Sequence, residues 1–165
     1  MNTTLLEIIK LIISLLTPLI VLIVGLLITK KIEKNKIEIL KEKEWQVRWA
    51  ELFLQQATDF NNNITIVVCS LFILQSEKDP NKISEINKKI LNSNYYISEI
   101  NWNIQNYVQF SLVHKENVIK TQQKLMELIS QLISMKLGNF EVIRKLQFEY
   151  NDAVKKAHNE ILKLK

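Results

Sequence analysis

The only compact group of residues whose types could support catalysis lies near the C-terminus. The segment 151–159 (NDAVKKAHN) places one histidine, His158, among amide, carboxylate and ammonium side chains on a predicted helix. Two interpretations stay open. Either His158, with Asn151 as a weaker candidate, is a catalytic residue, or His158 is a partly exposed structural histidine beside an apolar stripe.

Other kinds of site find little support in the sequence. With two histidines, His114 and His158, and one cysteine, Cys69, we expect no metal site and no intramolecular disulfide. Gly25 and Gly138 are the only glycines, which excludes a glycine-rich phosphate loop. We therefore expect no cofactor, no small-molecule substrate and no enzyme, and we predict that Cys69, within an apolar run, is an inert core thiol.

The residues around His158 resemble the HEPN domains, which are small four-helix bundles. Ribonucleases of that family carry an arginine a short distance before a histidine, and both side chains from two protomers converge on an RNA phosphate. His158, followed by Asn159, matches the histidine. Positions 151–153, where the arginine belongs, hold none, and Arg144 is too distant in sequence. The resemblance implies an RNase site built by dimerisation, here without the guanidinium that clamps the phosphate.

The elements that carry these residues are predicted to be helices. From Trp49 onwards apolar residues recur at alternating steps of three and four, which indicates helices with one core-facing stripe each. Two glycines and two prolines are too few for a turn-rich β fold. The segment 76–81 is the clearest turn, His114–Asn117 is a weaker break, and Gly138 with Asn139 is a helix stop. We predict an all-α fold in which residues 49–165 form an antiparallel four-helix bundle, HEPN-like, with Tyr95, Tyr96 and Trp102 adding bulk.

The sequence of the N-terminal region predicts a membrane anchor. Residues 11–29 form a run of nineteen residues without a charge. At about 1.5 Å per residue this run covers close to the ~30 Å of a bilayer core. We predict a transmembrane anchor over 1–29 and a basic juxtamembrane helix over 30–48, continuous with the bundle. The lysines that follow the run predict that the bundle lies on the cytoplasmic side of the membrane, with the N-terminus outside, and that they contact anionic lipid. The first four are Lys30, Lys31, Lys34 and Lys36.

Polar and small residues of this anchor gather on one side. At 100° per residue, six of them fall within an arc of about 120°. These are Glu7, Lys10, Ser14, Thr17, Gly25 and Thr29. Lipid surrounds a lone anchor on every side, so a one-sided stripe predicts contact with other helices or with water, unless Glu7 and Lys10 merely snorkel to the interface. The predicted pore-lining or oligomer face consists of Lys10, Ser14, Thr17, Val21, Gly25 and Ile28.

The layout as a whole resembles the small membrane accessory proteins of type VI-B CRISPR loci, which assist an RNA-guided RNase in antiphage immunity. The resemblance implies a ring-shaped homo-oligomer whose central channel depolarises the inner membrane. It also implies membrane lipids, further copies of the chain, and an RNA-guided RNase or its RNA product as partners. Two other functions stay open: a membrane-tethered HEPN-like RNase and a non-catalytic membrane scaffold.

Overall fold

The structure, a computed structural model, describes residues 3–135 and 139–163, with side chains from residue 14 onwards except at 15 and 135. All regular secondary structure in that part is helical. The helices are α1 (Thr3–Leu74), α2 (Pro80–Tyr107), α3 (Lys115–Met135) and α4 (Phe140–Lys163), and a 3₁₀ turn (Val108–Phe110) precedes α3. The all-α prediction is confirmed. The chain divides into two compact units between Glu44 and Trp45.

The N-terminal unit consists of the first part of α1. Its large apolar side chains between Leu16 and Ile28 are each 47–65 % exposed, and they occupy every side of the helix. Pro18 lies inside this helix and has no N–H to donate to the carbonyl of Ser14. Among the described residues, no helix is both long enough and apolar enough to traverse a lipid bilayer.

The C-terminal unit, from Trp45 onwards, is an antiparallel helical bundle. α1 and α4 run in opposite directions, because the earlier residue of α1 contacts the later residue of α4. The Asn61 amide donates a hydrogen bond to Asn151, and the Phe72 ring lies 5.9 Å from that of Phe140. The same holds for α1 and α2, where Gln56 accepts a hydrogen bond from Asn103 and the Trp49 ring lies 4.9 Å from that of Tyr107. α3 and α4, which follow one another in the chain, also pack against each other. The prediction of a helical bundle is confirmed.

The core is built from one stripe of each helix. Burial of such a side chain stabilises the fold by roughly 1.5–3 kcal/mol, which explains why the three-and-four spacing fixes the inward face. In α1 the predicted positions Phe53, Ala57, Phe60, Ile64 and Val67 are fully buried, and so is Ala50. Trp49, Leu71 and Leu74 at the ends of the stripe are half-buried. Tyr150 of α4 packs its ring 5.3 Å from that of Phe60.

Polar side chains define where the helices begin. Asp79 accepts a hydrogen bond from the Asn81 amide, and Pro80 occupies the first turn of α2, where no intrahelical donor is needed. Asn139 likewise accepts from the amide of Glu141 and so caps α4. The predicted turn at 76–81 is confirmed. Gly138, predicted to stop α3, lies outside the described residues.

Three predictions about the bundle are wrong. The break between α2 and α3 spans Val108–His114 and α3 already begins at Lys115, so His114–Asn117 is not the break itself. Tyr95, Tyr96 and Trp102 do not fill the core but are 71 %, 54 % and 67 % exposed. Cys69 is exposed rather than buried, because it lies two residues after buried Val67 and hence about 200° around the helix.

Candidate functional site

The structure places His158 on the outer side of α4, half-buried, without a side-chain hydrogen bond or ion pair in the described part of the chain. Its neighbour Ala157 is buried in the core. Lys156 is paired with Asp152 at 2.6 Å, which partly neutralises the charge near the histidine. Arg144 lies fourteen residues earlier on the same helix, a rise of about 21 Å. Within one chain, Arg144 is therefore not placed beside His158.

Asn151 belongs to a different arrangement, a chain of polar side chains between α1 and α4. The Asn61 Nδ2 donates to Asn151 Oδ1 at 3.2 Å. The Gln147 Nε2 faces three oxygens: Asn61 Oδ1 at 2.8 Å, Thr65 Oγ1 at 3.0 Å and the Asn61 carbonyl at 3.3 Å. The Asn61 carbonyl also accepts a hydrogen bond from the Thr65 hydroxyl at 3.0 Å, so the four side chains form one connected set of hydrogen bonds.

These hydrogen-bonded polar side chains line a groove between α1 and α4. The cavity between the two helices has a volume of about 370 Å³. Its lining residues come from two segments about 80 positions apart in the sequence: Asn61, Thr65, Val68 and Cys69 of α1, and Phe140, Arg144, Gln147, Phe148 and Asn151 of α4. Cys69, the only cysteine, is therefore accessible at the groove wall.

An aromatic ring and a cation form the rim of the groove. Phe148 is 63 % exposed, and the Arg144 guanidinium lies over its ring, 5.9 Å from the centroid. Arg144 forms no ion pair in the described part of the chain. Lys145 lines an adjoining cavity together with Arg144, Phe148 and one carboxylate, that of Glu141. The rim thus combines a flat apolar surface with an unneutralised guanidinium.

The sequence contains a signal for this groove that motif-based reasoning missed. Asn61, Thr65 and Cys69 follow one another at steps of four, directly beside the apolar stripe, and Gln147 and Asn151 repeat that step on α4. Steps of four place side chains on one face of a helix. Only the packing of α1 on α4 shows that the two polar rows face each other.

A second polar cluster joins the end of α4 to the start of α3. The Glu160 carboxylate accepts hydrogen bonds from the Ser111 hydroxyl at 2.6 Å and from the amides of Leu112 (2.9 Å), Val113 (3.0 Å) and His114 (3.2 Å). The Ser111 hydroxyl first, and then these amides, hold the pKa of Glu160 below its ordinary value. The carboxylate acts as a cap supplied from another helix, and its role is structural.

The predicted pore-lining face can be followed from Ser14 onwards, since the side chain of Lys10 lies outside the described residues. Ser14, Thr17, Val21, Gly25 and Ile28 are all exposed. No atom lies within 4 Å of a Cβ built on Gly25, so this side of α1 is open in the single chain. The Thr29 hydroxyl donates to the Gly25 carbonyl at 2.9 Å. The juxtamembrane Lys30, Lys31, Lys34 and Lys36 are exposed as well.

Among the described side chains, no cluster of three histidine, cysteine or carboxylate residues is placed to hold a metal ion. No family model, curated protein or solved structure matches the chain.

Proposed function

We propose that this protein is a membrane-anchored homo-oligomer whose N-terminal helices line a pore, with the bundle on the cytoplasmic side of a bacterial inner membrane. The observation that carries the proposal is the asymmetry of residues 11–29: nineteen uncharged residues with small and polar side chains on one side only. The antiphage setting, beside an RNA-guided RNase, rests on the resemblance of the layout alone.

The exposure of α1 supports an apolar environment for the N-terminal unit. A helix that exposes large apolar side chains over most of its surface is unfavourable in water and is stable only inside protein or lipid. The described large side chains between Leu16 and Ile28 are about half exposed, so a single chain gives them no such cover. Lipid on the apolar sides and neighbouring copies along the polar side would cover them. The exposed lysines from Lys30 onwards suit a boundary with anionic headgroups.

Gly25 makes the self-association testable. Since the space that a Cβ on Gly25 would occupy has no neighbouring atom within 4 Å in the single chain, a larger side chain causes no clash within one copy. A loss of function in Gly25→Leu would then point to the pore lumen or to contacts between copies, not to a clash within one copy. Leu27, about 200° from Gly25 around the helix, offers a matched control on the opposite side.

The experiment is dye release from liposomes that contain the purified full-length protein. We expect leakage with the wild type, a strong reduction with Gly25→Leu and Thr17→Leu, and unchanged leakage with Leu27→Phe. Mass photometry in nanodiscs should show a ring of several copies. Intact liposomes at high protein density, or a monomer in nanodiscs, would refute the pore.

The two other functions predict different results. A scaffold that only holds a partner at the membrane should keep working when residues 11–29 are replaced by an unrelated single span. A tethered RNase should cleave RNA and lose that activity in His158→Ala. Because positions 151–153 hold no arginine, the RNase has less support than the pore.

A further inference from the structure

A band of large side chains on α2 faces away from the core of the C-terminal unit. Leu91, Tyr95 and Trp102 are 69 %, 71 % and 67 % exposed, and Ser98 between them is exposed as well. Each of the four lies two positions before a buried residue of the same helix, and hence about 200° around the helix from it. α2 therefore carries a buried stripe and, on its opposite side, an outer stripe made of these four residues.

We propose that the outer stripe packs against the outer stripe of a second copy of this chain, so that two α2 helices lie side by side. The inference goes beyond the pore, because the contact lies in the C-terminal unit and not along residues 11–29.

The spacing of the outer stripe suits a second helix. Its four residues follow one another at steps of four, three and four. This is the heptad pattern of helices that pack along a common seam, where each large side chain enters a space between residues of the facing helix. Ser98, the one small residue of the stripe, leaves such a space between Tyr95 and Trp102.

Amide side chains flank the outer stripe on both sides. On one side Asn87, Asn94 and Asn101 follow at steps of seven, and on the other side lie Asn92 and Asn106. An amide is both a hydrogen-bond donor and an acceptor. The flanks of a second copy therefore complement these flanks in either direction of packing.

Charge favours a second copy over other occupants. The chain has a net charge of +5, and a strongly charged surface would repel its own copy. Within about 90° of the outer stripe, between positions 87 and 106, the charged residues are Lys88 and Glu99, one of each sign. Anionic headgroups and charged protein partners are attracted by an excess of the opposite charge, which this surface does not offer. Exposed aromatic rings with few charges are the composition of interface cores.

The area of the outer stripe corresponds to a contact of modest strength. A Tyr or Trp buries roughly 150–250 Å² at most, so the two rings and Leu91 together supply about half of the ~800 Å² per partner of a standard interface. The amide rows on both sides add to this area. We therefore expect association that depends on protein concentration.

Sedimentation equilibrium of the full-length protein in detergent measures this association. Gly25→Leu is the background for all variants, so that the contacts proposed along the anchor are weakened throughout. Trp102→Ala should raise the dissociation constant at least about 30-fold, as loss of a central aromatic residue does at interfaces. Phe148→Ala is the matched control, because Phe148 is similarly exposed, at 63 %, on α4 and should leave the constant unchanged.

Cross-linking locates the contact. In a Cys69→Ser background, Ser98→Cys should form a disulfide-linked dimer under mild oxidation, because the middle of the stripe meets the middle of its copy in either direction of packing. Lys89→Cys is the control, since position 89 is exposed on the same helix about 180° from Ser98. It should cross-link only at the slow rate of random collision.

Three results would overturn the inference: a monomer at every concentration, equal weakening by Trp102→Ala and Phe148→Ala, or equal cross-linking of Ser98→Cys and Lys89→Cys. Protection of Ser98→Cys from alkylation by liposomes or by another protein, without a cross-link, would assign the stripe to that occupant and overturn it as well. Dye release by the wild type is measured separately, so failure of this inference leaves the pore standing, and the reverse.

Discussion

Removal of the Glu160 charge should open the junction between α4 and α3. In wild type the carboxylate receives four donors, namely the Ser111 hydroxyl and three consecutive amides that precede α3. Each hydrogen bond to a charged group stabilises the fold by about 1.5–3 kcal/mol when it is shielded from water. Glu160 is only half-buried, and Leu112 and Val113 are 74 % and 75 % exposed. Water can therefore replace part of the lost hydrogen bonding.

We therefore expect Glu160→Gln to lower the free energy of unfolding by about 1–2 kcal/mol, the usual range for loss of a helix cap. For a unit of this size the loss corresponds to a fall in Tm of about 3–8 °C. Thermal unfolding of the full chain in detergent, followed by tryptophan fluorescence, measures it. Glu149→Gln is the control, because Glu149 is exposed on the same helix and its side chain forms no hydrogen bond or ion pair in the described part.

The pH dependence gives an independent check of the same contact. The folded state holds the pKa of Glu160 below its unfolded value, so the unfolded chain takes up the proton first as the pH falls. The stabilisation is present above the unfolded pKa of about 4.3 and is lost as the pH falls through the folded pKa. The difference in Tm between wild type and Glu160→Gln should shrink on acidification. If Glu160→Gln and Glu149→Gln had the same Tm at neutral pH, the Glu160 carboxylate would not stabilise the junction.

Three further changes test the core and the groove. Gln122→Leu should raise the free energy of unfolding by about 1–2 kcal/mol in thermal unfolding, because both amide atoms of Gln122 are buried without a partner in the described part of the chain. A loss of stability instead would reveal a hidden partner such as a buried water. Phe53→Ala should cost about 3–5 kcal/mol in the same assay, since its ring is fully buried. Cys69 should react with a thiol reagent in the folded protein, and a thiol that reacts only after unfolding would contradict its exposure.

The helices themselves could be predicted because their signals are local. Apolar steps of three and four identified the stripe from Phe53 to Val67, and Asp79 and Pro80 marked the turn before α2. The errors came from counting apolar residues without their angle around the helix. Trp102 lies two residues before buried Ile104, on the opposite side of α2, and is exposed for the same geometric reason as Cys69.

The candidate site was predictable only in part. Asn151 was singled out as a weak partner of His158, and the structure instead places it in the amide row with Asn61. Asn61 and Asn151 are separated by 90 positions. No local period connects two segments so far apart, because their contact depends on how one helix is set against another.

The sequence alone determined the helical content, the inward face of each helix in the bundle and the one-sided chemistry of residues 11–29. All three follow from backbone periodicity and side-chain polarity within a few turns. Tertiary structure decided that the amide rows of α1 and α4 form one groove and that Glu160 caps a helix beginning some 45 positions earlier in the chain. Those contacts follow from helix packing, which brings distant segments together to bury their apolar stripes and leaves the residues beside the stripes facing one another.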